Sequence, residues 1–348
     1  MPLRPLELGD ILGGSFRVLR RNPKPTFGAA LLIEGISVTL VLVVVGLVTF
    51  ASLSRLNFSE EQDTGVVQAG AIATIVLATL GATLFTIATT ALLQGIIVLE
   101  VSRATLGEKQ TLRDLWRRAH GRLWALIGWS LLVSAAVAAA IIVLVVAVTL
   151  TIAVAGTLGI ALGVLLAVFG ALTLVALGFW IGTKLSLVSS ALMIERLSLR
   201  GAIARSWTLT TGAFWKTLGI QLLVAVIINV ALQVISAPLS LLSPLFLALI
   251  DPNGQGQAPA IGLSIGLAVL ATAITVVFGA IGAVVQSATG ALIYLDRRIR
   301  KEGLDLQLAR FVEGRSSAAV VADPYLPGSE RLHGPAAPIP PADASPWA

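Results

Sequence analysis

Long apolar runs, separated by short segments that hold most of the charges, make up most of the chain. The clearest run extends from residue 123 to residue 183 and contains no Asp, Glu, Lys, Arg or His. As a single α-helix it would be roughly 90 Å long, about three times the ~30 Å hydrocarbon core of a bilayer. We therefore expect this run to fold back once and to supply two membrane spans.

The same pattern, followed along the whole sequence, predicts an all-α integral membrane protein with six transmembrane helices. The predicted spans are 27–51, 67–100, 123–152, 154–183, 216–237 and 260–295. Around this membrane domain of residues 27–295 we expect a cytoplasmic amphipathic helix in 1–26, a basic juxtamembrane helix in 296–316 and a disordered Pro/Ala-rich tail in 317–348.

Composition and charge agree with a membrane environment. Apolar residues make up 56% of the chain and charged residues 12%, against roughly 25% charged residues in ordinary globular proteins. With six spans, both termini and two loops share one side, and 23 of the 24 Lys and Arg residues fall there; only Arg55 lies opposite. The positive-inside rule then predicts a multi-pass protein with both termini in the cytoplasm. Nineteen of the 24 cations are Arg and the apolar filler is Ala, Val, Leu and Gly, a composition that indicates a GC-rich bacterial source and hence a plasma (inner) membrane. Because the cations are scattered in short loops, we expect no nucleic-acid partner.

Three segments on the predicted cytoplasmic side repeat one arrangement, in which a short helix with Leu and Arg precedes a small-residue turn, an aromatic residue and an apolar span. They begin at Leu6, Thr111 and Ser198. The sequence thus predicts three pseudo-repeats of a cytoplasmic amphipathic helix plus a helix pair. In the first unit, a stripe of Leu8, Leu12, Phe16 and Leu19 has helical spacing, and Asn22-Pro23 should end the helix. This helix lies in the headgroup plane in one interpretation and caps the bundle in the other.

Cations and Trp residues near the predicted inner boundary are candidates for contacts with anionic lipid headgroups. Trp prefers this depth, and juxtamembrane Arg and Lys attract anionic lipid. The candidate inner-interface lipid contacts are Arg17, Arg20, Arg21, Arg117, Arg118, Trp124, Arg205, Trp207, Trp215, Lys216, Arg297, Arg298 and Arg300. The predicted partners are accordingly the lipid bilayer, anionic headgroups on the cytoplasmic face and a possible membrane-protein partner.

Polar side chains at membrane depth form a second set of candidates, because unpaired polar groups are costly there. The candidate polar intramembrane face comprises Glu34, Gln94, Glu100, Gln221, Asn229, Gln233 and Gln286. Three of these share one face of the fifth span, since they are eight and four residues apart. They line a cavity for a substrate or lipid headgroup in one interpretation, and bond across helices as structural glue in the other.

The sequence contains no catalytic or metal-binding constellation that we recognise. It has no cysteine and two histidines, His120 and His333. The segment from Gly262 to Gly266 fits the G-x-S-x-G pattern of serine hydrolases, yet neither histidine is predicted near Ser264, and small residues also serve helix packing. We therefore predict no catalytic residue, no metal site and no cofactor.

Three stretches together carry a resemblance to a known family: RPLELGDILGGSFRVLRRNP from Arg4, ERLSLRGAIARSWTLTTGAFWKTLGI from Glu195 and ALIYLDRRIRKEGLDLQLAR from Ala291. On these stretches the chain resembles actinobacterial-type multi-pass proteins with the membrane domain of glycerophosphoryl diester phosphodiesterase. Some family members also carry a catalytic barrel whose chemistry uses His and acidic metal ligands, and with two histidines in the sequence we expect no such domain here. No catalytic residue can be carried over from that family, and with no catalytic constellation in the sequence we expect a non-enzymatic membrane protein that acts as an accessory or scaffold in lipid or envelope processes. The alternative is a small transporter or lipid-handling channel that uses the polar face of the fifth span.

Overall fold

The computed structural model describes residues 6–56, 64–108, 110–154, 156–250, 258–316 and 324–325. These residues are almost entirely helical, and no strand occurs among them. In chain order the helices are α1 (Leu8–Arg21), α2 (Ala29–Leu56), α3 (Thr64–Thr105), α4 (Leu112–Val154), α5 (Gly156–Leu185), α6 (Val188–Ile194), α7 (Leu199–Thr210), α8 (Phe214–Ile250), α9 (Ala258–Glu302) and α10 (Leu304–Ser316). A π-helical turn, Lys24–Gly28, leads from α1 into α2.

Six of these helices, α2, α3, α4, α5, α8 and α9, are long and apolar enough to cross a membrane. The prediction of an all-helical chain with six such helices is therefore confirmed. The helices run past the predicted spans, and α3 and α9 reach 42 and 45 residues. The apolar pattern ends at the first charges, whereas Arg, Lys and Glu continue a helix readily.

Specific residues end the shorter helices. Helix α1 stops at Arg21, where Asn22-Pro23 follows, because proline disfavours the helical conformation of the residue before it. Ser198 begins α7, and its hydroxyl accepts a hydrogen bond from the Gly201 backbone amide at 3.3 Å. Gly303, with φ of +64°, separates α9 from α10, since glycine tolerates the left-handed conformation that ends a helix.

The middle one of the three predicted units differs from the other two. Its segment predicted to be cytoplasmic is not a separate element, because α4 is continuous from Leu112 to Val154 and Gly121 lies inside it. Helices α1 and α7 are separate elements that precede α2 and α8. The small residue predicted to turn the chain does so only in the third unit, where Gly212 has φ of +80°.

The buried core lies at one end of the bundle, which we call the charged end. It consists of α1, α6, α7 and α10, the last turns of α3, the first turns of α4 and the second half of α9. Helix α1 packs against α9 there and buries Ile11, Ser15 and Val18. Leu8 and Phe16 of the predicted apolar stripe are exposed.

The rest of the long helices forms what we call the apolar end. Large apolar side chains such as Leu47, Leu77 and Phe169 are mostly exposed there. Helices pack in adjacent pairs, α2 with α3, α4 with α5 and α8 with α9. In lipid such a surface loses nothing by exposure, because lipid tails are as apolar as leucine.

Candidate functional site

The strongest polar cluster of the described residues lies at the charged end and centres on Glu195, which directly follows α6. Its side chain is 6% exposed. The Glu195 Oε1 atom accepts hydrogen bonds from Arg205 Nε and Nη2, both at 3.0 Å, and from the Tyr294 hydroxyl. Arg298 Nε lies 3.3 Å from the same oxygen. One carboxylate thus joins the loop after α6 to α7 and α9.

A second carboxylate completes this cluster. Glu302 Oε2 accepts hydrogen bonds from Arg205 Nη2 at 2.6 Å and from Arg298 Nε at 3.1 Å. Two carboxylates therefore face two guanidinium groups, and we call Glu195, Arg205, Tyr294, Arg298 and Glu302 the charge cluster. Burying ions is costly unless they are paired and hydrogen-bonded, and this arrangement pairs each of the four.

The pKa of Arg205 shows whether burial or hydrogen bonding dominates in the charge cluster. Burial on its own lowers the pKa of Arg205. The hydrogen bonds that Arg205 donates to Glu302 and Glu195 outweigh burial and hold the pKa above its ordinary value. Arg205 is consequently a permanent cation, and the cluster keeps its pairing as long as both carboxylates remain ionised.

A second polar contact fixes the start of the described chain to α9. Asp296 Oδ1 accepts a hydrogen bond from the Leu6 backbone amide at 2.9 Å and another from Arg300 Nε at 2.8 Å. Arg300 Nη2 in turn donates to the Leu6 carbonyl oxygen at 2.8 Å. Both backbone polar groups of Leu6 are therefore satisfied by side chains of one helical turn, and we call this contact the Leu6 clamp. Ser15 and Thr289 join α1 to α9 again at 2.9 Å.

No protein-family model matches the chain. No curated protein and no solved structure matches it either.

The side chains of the candidate polar face do not converge. Glu100 is buried, Glu34, Gln94 and Gln221 are partly buried, and Asn229, Gln233 and Gln286 are exposed. Glu100 Oε1 accepts a hydrogen bond from Asn22 Nδ2 at 3.0 Å, and Asn229 Nδ2 donates to the Ala225 carbonyl of its own helix at 2.8 Å. Within the described part of the chain, no hydrogen bond joins two of the seven. Both interpretations of the set, a shared cavity and bonds across helices, therefore stay predictions.

The candidate lipid contacts fall into three groups by exposure. The eight exposed residues are Arg17, Arg20, Arg117, Trp124, Trp207, Trp215, Lys216 and Arg300. Three residues, Arg21, Arg118 and Arg205, are partly buried, and two, Arg297 and Arg298, are buried. The first group keeps a surface that a headgroup can reach. Arg205 and Arg298 belong to the charge cluster, and Arg300 belongs to the Leu6 clamp.

The Trp- and Thr-rich segment 205–217 is a helix end. The hydroxyls of Thr208, Thr210 and Thr211 each donate to a carbonyl one turn earlier in α7. Lys301 Nζ donates to the carbonyl oxygens of Thr208 and Thr211 at 2.6 and 2.8 Å, so a cation caps the negative end of the helix dipole.

Trp207 lies beside this helix end and packs on the neighbouring span. Its ring meets that of Trp180 edge to face with centroids 5.9 Å apart. Lys184 Nζ lies 5.2 Å from the centroid of Trp207, a distance that allows a cation–π contact. These contacts hold α7 against the end of α5.

The tail contributes one residue to the core. Tyr325, in the segment predicted to be disordered, is buried, and its hydroxyl donates to the Ser102 carbonyl oxygen at 2.8 Å. The Arg103 guanidinium lies 5.9 Å from the ring centroid. Of the predicted tail, 317–348, Pro324 and Tyr325 belong to the described residues, and the other positions lie outside them.

The acidic members of these contacts, Glu195, Asp296 and Glu302, were missed in the sequence because each lies in a charged segment next to a span. A signal was present, since Asp296–Arg300 and Arg298–Glu302 are spaced i,i+4 on one helix, where opposite charges meet. Glu195 also follows the apolar segment 187–194, which is typical of a buried element. Chemically, the arrangement binds helices together. The described ranges contain no group of three or more His, Cys, Asp or Glu residues that could hold a metal ion.

Proposed function

We propose that the chain is a non-enzymatic multi-pass inner-membrane protein that acts as an accessory or scaffold in lipid or envelope processes. The observation that carries this proposal is the charge cluster together with the Leu6 clamp. These contacts tie α1, α7, α9 and the loop after α6 into one unit. The positive-inside rule assigns that end of the bundle to the cytoplasm.

The charged end has the properties expected of a platform. Its buried charged side chains form contacts between helices, and these contacts hold the surface in one arrangement. Its outward cations, among them Arg17, Arg20 and Arg117, are exposed. Cations next to a bilayer attract anionic headgroups at roughly 1 kcal/mol each. A rigid, positively charged surface beside the membrane suits the recruitment of a protein partner or of anionic lipid.

The resemblance to the membrane domain of the glycerophosphoryl diester phosphodiesterase family belongs to the same proposal. The stretches that carry it include Glu195, Arg205, Tyr294, Asp296 and Glu302. Together with Arg298 of the same stretches, these residues form the charge cluster and the acidic part of the Leu6 clamp. We propose that the shared segments specify this packed end rather than an active site.

Native mass spectrometry of the protein in mixed anionic and zwitterionic lipid tests the proposal. We expect bound anionic lipid on the native chain. Binding should weaken by up to about 100-fold after Arg17→Gln, Arg20→Gln and Arg117→Gln together, as three contacts of roughly 1 kcal/mol imply. Arg55→Gln, at the opposite end of α2, is the matched control. A protein partner that copurifies in fixed stoichiometry from native membranes supports the scaffold. Turnover of a lipid phosphodiester by the purified chain contradicts it.

A transporter or lipid-handling channel is the second candidate, favoured by a cavity of about 320 Å³ between α8 and α9. Hydroxyl side chains of Ser236, Ser240, Ser264 and Thr275 line part of it. This candidate function assigns the path to the amides Gln221, Asn229 and Gln233 of α8. If these amides line a path, replacing all three by Leu abolishes uptake in proteoliposomes, whereas a scaffold keeps its partner binding.

A further inference from the structure

Two amide side chains of α8 face away from the rest of the chain. Helix α8 packs mainly against α9 and also meets α5, and Asn229 and Gln233 are exposed. Asn229 makes only the hydrogen bond to its own helix, and the Gln233 side chain makes none within the described residues. Asn229 lies roughly 22 Å along α8 from Phe214, at 1.5 Å per residue, which is close to the middle of the predicted span 216–237.

These amides belong to a longer pattern on the outer face of α8. Five positions alternate in steps of three and four residues, and all five are exposed: Gly219, Leu222, Val226, Asn229 and Gln233. We call them the α8 seam. A step of 3.5 residues on average keeps one stripe of a helix facing a second helix along its length.

The amides also require a partner on energetic grounds. Lipid tails neither donate nor accept hydrogen bonds, so an amide exposed to them keeps unsatisfied polar atoms. Amides of transmembrane helices are satisfied by bonds to other helices. No helix of the described ranges covers this side of α8, and a helix of another molecule can supply the missing bonds.

We propose that the α8 seam is the interface with a second copy of this chain. Copies in one membrane insert with the same orientation, so a two-fold axis along the membrane normal brings the two α8 helices together in parallel and in register. Asn229 then meets Asn229, and Gln233 meets Gln233. An amide both donates and accepts, so each pair satisfies itself, which residues of like charge would not do. Gly219 is small and permits close approach near one end of the seam.

Cysteine cross-linking in membranes tests the geometry, because the chain has no cysteine of its own. Val226→Cys places a thiol in the seam, and Ile227→Cys places one at the same depth on another face; these side chains are 49% and 40% exposed in the native chain. A disulfide needs Cβ atoms about 4 Å apart, a distance that seam positions of a close pair reach. Under oxidation we expect a disulfide-linked dimer from Val226→Cys and monomer from Ile227→Cys.

A second measurement keeps the proposal testable if the thiols are poorly placed. Dilution of the labelled protein into lipid, followed by energy transfer, gives a monomer–dimer equilibrium. Asn229→Leu should weaken the dimer about 3- to 10-fold, the effect of losing one interhelical hydrogen bond in a membrane, and Asn229→Gln should restore part of it. Gln221→Leu, partly buried and outside the seam, is the control and should leave the equilibrium unchanged.

Three results would overturn the proposal. They are a native chain that stays monomeric in lipid at every density, equal cross-linking at positions 226 and 227, and a Val226→Cys adduct with a different protein. The last result would assign the seam to a foreign helix. The accessory function proposed above does not depend on dimerisation, so a monomeric chain that still binds anionic lipid would remove only this inference.

Discussion

The charged end and the apolar end differ in what surrounds their side chains, and α9 shows both. From Ala280 to Ile299 this helix is mostly buried by other helices of the chain, whereas Ile265, Val269 and Leu270 nearer its start are exposed. The contacts that hold distant parts of the sequence together, including Leu6 with Asp296 and Glu195 with Tyr294, lie at the charged end. The charged end is therefore held together by contacts within the chain, whereas the side chains of the apolar end mainly contact lipid and neighbouring molecules.

The comparison indicates where substitutions matter. A side chain at the charged end is fixed by several helices, so its loss leaves a cavity or an unpaired charge. At the apolar end the same loss exchanges one apolar contact with lipid for another. Substitutions at matched positions of the two ends should then have effects that differ by several-fold.

The largest effect is expected from Glu195→Gln. The change removes the charge that compensates Arg205 and Arg298, and breaking a buried ion pair typically costs about 3–5 kcal/mol. The free energy of unfolding, measured by circular dichroism in mixed micelles with increasing dodecyl sulfate, should fall by this amount. Glu302→Gln is the matched control, because its side chain is 30% exposed and should cost about 1 kcal/mol. Equal, small losses for both variants would contradict a cluster centred on Glu195.

Replacing one leucine at each end tests the contrast without charge. Leu192 of α6 is fully buried, and Leu165 of α5 is about half exposed. Leu192→Ala should cost about 2–5 kcal/mol through lost burial and the cavity it leaves. Leu165→Ala should cost less than about 1 kcal/mol, since its side chain exchanges protein contacts for lipid or detergent. The same unfolding assay compares them, and similar losses would show that the apolar end is as tightly packed as the charged end.

Opening the Leu6 clamp should have an intermediate effect, confined to α1. Asp296→Asn keeps an oxygen for the Leu6 amide but loses the ion pair with Arg300, and we expect about 1–2 kcal/mol. Amide hydrogen exchange should accelerate in α1 and remain unchanged in α7. Asp114→Asn, which removes an exposed ion pair with Arg117, is the control and should leave exchange unchanged. Uniform acceleration in all helices would contradict a local clamp.

The sequence predicted the apolar end better than the charged end, for a physical reason. Long charge-free runs such as 123–183 require spans because of their length alone, and the six helices follow. The charge cluster depends on which loop residue meets which helix, as with Glu195 and Tyr294, which are 99 residues apart. Local spacing signals the i,i+4 pairs of α9 but not their partners on other helices. Arg205 and Arg298 were accordingly identified as interfacial cations, whereas their carboxylate partners were not.

The smallest effect should come from Lys301→Met, which removes the cap of α7 while leaving the charge cluster intact. Lys301 donates to two carbonyls at the end of that helix, and a cation at a helix C-terminus contributes about 0.3–1 kcal/mol. Methionine keeps the length of the aliphatic stem, so packing changes little. Hydrogen exchange should accelerate only in the last turn of α7, and Lys216→Met, exposed on the next helix, should not reproduce it. Accelerated exchange throughout α7 would instead mean that Lys301 holds the whole helix in place. The tightly packed part of the charged end would then extend to the final turn of α9.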